Sequence, residues 1–143
     1  MKLHLGVMTD IPYADAPGKT IADVAEILED KYHIMELFFE IHADDIARAM
    51  ESSLAGAFEN QLAGGTAAPS FDAAASEIES MFRRFLSDRE IEGLGDPGVP
   101  TEAALAGINH SLRHPYAKAN ARRPSFVDTD LYKTSFAAWI DDG

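Results

Sequence analysis

The stretch TIADVAEILEDKYHIMELFFEIHADDIARAMESSLAGAFENQL, Thr20–Leu62, decides the fold. It holds no proline and a single glycine, Gly56. Its apolar residues Ile21, Val24, Leu28, Met35, Phe38, Ile46, Met50, Leu54, Phe58 and Leu62 mostly recur at intervals of three and four, the spacing of one helical face. Thr20 is a natural N-cap, Asp23 sits in the first turn where the helix dipole favours an anion, and Gly64-Gly65 terminates the run. As one helix the stretch would be roughly 65 Å long at 1.5 Å per residue. That length is far above the usual, so a break or kink is expected near His42–Asp45.

Working outward, Leu3–Met8 is an apolar run suited to a short strand, and Thr9–Gly18, with two prolines and a glycine, is a loop or arm. On the C-terminal side, Thr66–Ser70 is a small-residue linker, and a second helix is expected from about Asp72 to Arg89 with Ile78, Phe82, Phe85 and Leu86 on one face. Gly93–Pro100 must be a loop. Thr101 can cap a third, shorter helix carrying Leu105, Ile108 and Leu112 and ended by His114-Pro115. The last run, Leu131–Ile140, alternates through Tyr132, Thr134, Phe136, Ala138 and Ile140 but also fits a helix through Tyr132, Phe136 and Ile140. The fold expected is mainly α, with α+β open: a long amphipathic N-terminal helical region, two shorter helices, an extended N-terminal arm and a C-terminal short strand or helix. Residues 1–143 are read as a single domain, with 1–19 as extended arm or edge strand, 20–112 as helical body and 113–143 as a basic extended segment and a C-terminal signature.

A chain of 143 residues with 46% apolar content has the material for its own core. With no cysteine it has no disulfide framework, no cysteine-ligated zinc and no thiol chemistry. No apolar run approaches a membrane span, and Met1–Gly6 is too short for a signal peptide, so a reducing interior and no membrane partner are expected. The net charge of −12 argues against a protein that holds a duplex by neutralising phosphates. The charge is also uneven: residues 1–80 carry 4 basic and 15 acidic side chains, whereas 81–143 carry 8 and 9. His110–Pro124 contains Arg113, Lys118, Arg122 and Arg123 and no carboxylate. An acidic body with one basic segment suits docking between oppositely charged protein surfaces.

Three local patterns invite chemistry. Pro17-Gly18-Lys19-Thr20 resembles the end of a phosphate-binding loop, but the first glycine of G-x-x-x-x-G-K-[ST] would fall at Tyr13, and Asp15 would put a negative charge into the anion site. A capped helix start is the ordinary explanation. Glu29, His33, Glu36, Glu40 and Asp44, spaced by three or four, would form an acidic stripe, and His33–Glu36 has the i, i+3 spacing of carboxylate-bridged metal sites. The second such pair that a di-metal bundle needs is missing, so a solvated face is the plainer reading. No G-x-S-x-G elbow accompanies the serines and histidines. No catalytic residue, cofactor or metal ligand is assigned.

The C-terminal third carries a resemblance. Gly98-Val99-Pro100-Thr101 leads into a short helix, then Pro115-Tyr116, then Arg123-Pro124-Ser125-Phe126-Val127-Asp128-Thr129-Asp130-Leu131-Tyr132-Lys133-Thr134-Ser135-Phe136. This resembles the late "P-hydrophobic-hydrophobic-D-T-G-x-L/Y-x-x-S-hydrophobic" signature of the neck and tail-completion (head–tail connector) proteins of tailed bacteriophages, with Asp130 where that family has glycine. It covers about 40 of the 143 residues; the first hundred match only in size and helical character. The resemblance implies a structural virion protein without catalysis, a homo-oligomeric ring assembled in the host cytoplasm. Its partners would be other virion proteins on the portal and adaptor side or the tail-tube and sheath side, with DNA only passing non-specifically through a channel. The subunit-interface residues expected are Pro12 and Tyr13 from the arm, and Arg122, Arg123, Phe126, Asp128, Tyr132, Phe136 and Trp139 from the signature and tail, because arginines and aromatics anchor interfaces. The alternative is a soluble helical binding or regulatory protein that docks a cationic partner on its acidic face.

Overall fold

The computed structural model describes residues 2–8, 18–66, 70–128 and 131–141. Strand β1 (Lys2–Val7) precedes helices α1 (Ile21–Tyr32), α2 (Ile34–Leu62) and α3 (Asp72–Ser87), a 3-10 turn (Glu90–Gly93), a single-turn α4 (Glu102–Leu105), a short α5 (Leu131–Ser135) and strand β2 (Phe136–Asp141). The protein is mainly helical with one small sheet. β1 and β2 pair antiparallel from Lys2↔Asp141 to Val7↔Phe136, which ties the two ends of the chain together.

Aromatic packing holds these layers together. Phe38 of α2 meets Phe82 of α3 edge-on at 5.2 Å, and Phe82 stacks at 3.9 Å on Phe136 of β2. Phe85 and Tyr132 close the cluster, and all five rings are buried. Ile78, Phe82, Phe85 and Leu86 line the buried face of α3 as their spacing predicts. Two-stranded sheets are marginal alone; here α3 covers one face, and Glu79 of α3 accepts the outward N–H of Ala138 at 3.1 Å. A carboxylate therefore closes β2's free edge at its centre.

Helix α1 starts as expected. Thr20 and Asp23 form a reciprocal capping box, so the glycine-lysine-threonine segment is a helix start. The principal break in the long helical stretch lies earlier than expected. His33 adopts left-handed backbone angles (φ 53, ψ 43), and its N–H bonds the Glu29 carbonyl. Glu29 then turns its carboxylate onto the start of α2, accepting from the N–H groups of Met35 (2.8 Å) and Glu36 (3.1 Å). Those orphan donors are satisfied without any glycine or proline in the sequence. The expected irregularity near His42 survives as a kink, with φ −105 and ψ 16 inside α2.

Two other expectations are corrected. The third helix has its Thr101 cap, donated to by the Ala104 N–H at 3.2 Å, but ends at Leu105. Gly107 takes φ +73 there because the chain runs against the carbonyls of Asn120 and Ala121, only 2.5 and 2.8 Å from where a Cβ would sit. Ile108 and Leu112 therefore follow the helix in turns. The basic segment is not extended either. Bonds such as Asn109 N–H to the Pro115 carbonyl and Arg123 N–H to the Ala104 carbonyl fold it back on the chain. The ambiguous last run divides between the two readings: Leu131–Ser135 is helix and Phe136–Asp141 is strand.

Candidate functional site

Three of the expected interface residues, Arg122, Arg123 and Asp128, take part in a latch within the chain. Asp128 accepts from the backbone N–H of His110 at 2.7 Å and pairs with the ring Nδ1 of the same residue at 2.6 Å. The other ring nitrogen, Nε2, meets the Tyr116 hydroxyl at 2.9 Å. Ser111 Oγ donates to the Asp128 carbonyl at 2.6 Å, and the buried Arg123 lies 3.8 Å from the Asp128 carboxylate while bonding the Ile108 carbonyl. Asp128 thus pins three points of the 108–123 turns at once, and charge-assisted bonds of this kind are the strong ones.

A second carboxylate, Glu92, works beside it. Glu92 is nearly buried, accepts from the Ser125 N–H and hydroxyl at 3.1 and 2.9 Å, and takes the Arg122 guanidinium on its other oxygen. Ser125 Oγ in turn accepts from the Thr101 N–H. Glu92 and His110 were not anticipated, since their partners lie 33 and 18 residues away and leave no local pattern.

Phe126 takes φ +68 and packs its ring on Tyr32 of α1 at 4.9 Å. Tyr132 and Phe136 are buried core rings of the chain itself. Burial in the first place, then the negative charge of Glu29, pushes the Tyr132 phenol well above its ordinary pKa, and its hydroxyl has no hydrogen-bond partner among the described residues. Trp139 is 47% exposed and stacks on His4 at 5.2 Å over the close-packed Gly6. Pro12 and Tyr13 lie outside the described residues.

The acidic stripe does not form one face. The left-handed turn at His33 separates Glu29 from the rest, and Glu29 serves as the cap of α2. Among the described residues no group of three or more His, Asp or Glu side chains is placed to hold a metal ion. A cleft of about 450 Å³ between α2 and α3 is lined by His42, Asp45, Arg48, Arg84, Asp88 and Glu90. Within it His42 sits between the Asp45 and Glu90 carboxylates at 3.3 and 3.1 Å, which links the α2 kink to the 3-10 turn.

The outer half of α2 is different in kind. Ala49 is the last buried residue of the helix, which continues to Leu62, about 20 Å further at 1.5 Å per residue. Along it Leu54, Phe58 and Leu62 are 43, 62 and 73% exposed. Each four-residue step turns the stripe by about 40° around the axis. The three side chains therefore walk away from the side on which Met50, Ser53 and Ala57 remain half-buried. The apolar spacing of the stretch continues here as an outward-facing ridge of three exposed side chains. No known family, curated protein or solved structure matches the chain. Among the described residues, no helix is long and apolar enough to cross a membrane.

Proposed function

We propose that this chain is a structural subunit of a tailed-bacteriophage virion, a neck or tail-completion component that joins capsid and tail as a ring of identical copies. The role is mechanical and needs no cofactor or metal. The observation that carries it is the outer half of α2, an apolar ridge with no partner among the described residues, continuing beyond the part of the helix that joins the buried core. Such a ridge suits a subunit finished by its neighbours. The C-terminal resemblance supplies the kind of assembly, and the latch at Asp128 supports it by tying Arg123 and Asp128 of the signature to the turn at His110.

In this reading other virion proteins contact the ring from the portal and adaptor side or from the tail-tube and sheath side. DNA passes through without specific contacts, since a body of net charge −12 repels phosphate. The alternative, a regulatory protein docking a cationic partner on a continuous acidic face, has less support because His33 and the capping role of Glu29 break that face. Sequencing the genes on either side tests the proposal. Portal, capsid and tail genes as neighbours are expected, whereas metabolic or transcriptional neighbours refute it.

A further inference from the structure

The ridge on α2 has a counterpart elsewhere on the same chain. Met50–Leu62 carries Glu51 and Glu59 and no basic residue, so the ridge is apolar with a negative border. The 112–118 turns present the opposite combination. Leu112 and Tyr116 are 45 and 69% exposed, and Arg113 and Lys118 are exposed beside them. Of the four cations in the basic segment, Arg122 is held by Glu92 and Arg123 is buried, which leaves two outward charges to match the two on the ridge.

The two surfaces belong to different parts of the chain. The 98–128 region packs against the end of α1, where Tyr32 contacts Phe126 and lies next to Gly98. That places Phe126 near the start of α2, whereas Phe58 lies 24 residues further along, beyond the kink at His42. Both patches are exposed within one chain, so they are not closed on each other there. A second copy can cover them.

We infer that the acidic apolar ridge of one copy (Leu54, Phe58, Leu62) docks onto the basic apolar 112–118 turns of the next, a heterologous head-to-tail contact between copies of this chain. Because each copy carries both patches, the contact repeats. It closes into a ring if the rotation per copy allows and runs on as a filament if it does not. Leu112 and Tyr116 supply the apolar and aromatic contact, and the two cation–carboxylate pairs fix the direction and speed the encounter. This names the subunit contact of the proposed ring and rests on that reading only for the biological setting.

Two double variants and a mixing experiment test it, read by light scattering on size-exclusion fractions of the full chain. Phe58→Ser with Leu62→Ser removes the ridge; Arg113→Glu with Lys118→Glu inverts the turns. All four residues are exposed, so circular dichroism and melting temperature should match the parent. The parent is expected to form species larger than a dimer as concentration rises. Each variant alone should be monomeric over the same range, its assembly midpoint raised at least ~tenfold. Mixed in equal amounts, the variants should give a heterodimer and nothing larger, because only one intact ridge and one intact set of turns remain. Adding Glu51→Lys and Glu59→Lys to the charge-inverted chain should restore assembly.

A parent that stays monomeric at all concentrations overturns the inference. So does a variant that assembles like the parent, an inverted-turn variant that dimerises through its own ridge, or a mixture without heterodimer. The virion reading is scored separately by presence in particles. Head-to-tail assembly of a protein missing from particles defeats that reading alone, and a particle protein whose variants still assemble defeats this inference alone.

Discussion

Tyr132 offers a perturbation whose sign can be worked out in advance. Its ring fills the core against Phe82, it is 3% exposed, and its hydroxyl has no hydrogen-bond partner among the described residues. A buried polar group left unsatisfied costs about 1–3 kcal/mol. Tyr132→Phe keeps the ring and removes that cost, so the variant should be more stable than the parent at pH 7 by about 1 kcal/mol. The same burial, reinforced by Glu29, holds the folded-state phenol far above its ordinary value of 10.0. In the unfolded chain that phenol ionises near the ordinary value, whereas in the folded protein it keeps its proton. The unfolded state therefore sheds the proton first, and stability falls as pH rises above about 10. At pH 11 the loss from this one group is about 1.4 kcal/mol. Urea unfolding of parent and variant at pH 7, 9, 10 and 11 measures both effects. The gap between the two proteins should widen with pH. A variant less stable by 1 kcal/mol at pH 7 means that the hydroxyl has a partner, and parallel alkaline limbs mean that the phenol is not held neutral.

The remaining predictions concern packing and the latch. Phe136→Ala removes the ring stacked on Phe82 and should cost about 3–5 kcal/mol, read as a lowered melting temperature. Gly107→Ala would put a Cβ 2.5 Å from the Asn120 carbonyl at a positive φ, so it should destabilise by more than about 1 kcal/mol in the same assay. Asp128→Ala leaves the His110 N–H and Arg123 without their carboxylate and should cost about 2 kcal/mol, with limited proteolysis opening between residues 109 and 122 before the helices are cut. Glu29→Ala uncaps α2 and should cost about 1 kcal/mol, seen as faster amide exchange at Met35 and Glu36.

Much of the helical skeleton was legible because its signals are local. Thr20 with Asp23, Thr101 as a cap, and the steps of three and four between Ile78, Phe82 and Phe85 are all short-range signals. The break at His33 was hidden because it uses a left-handed histidine and a cap from the Glu29 carboxylate, six residues before the Met35 N–H that donates to it. Gly107 was a readable stop within the expected third helix, and its positive φ explains why that helix ends after one turn. The last run satisfied two periods because it is one element of each kind. Aromatic and arginine content pointed to anchors, but composition does not say whose core an aromatic completes. Tyr132 and Phe136 complete this chain's own, while Phe58, on the apolar helical face by its spacing, faces outward.

The most direct test of the account is the protein composition of tailed particles purified from the source of this sequence, by quantitative mass spectrometry. The account predicts this chain in the particles, in several copies per portal ring and retained after washing at high salt. Its absence from particles, with the protein recovered only in the free fraction, would contradict a structural role in the virion.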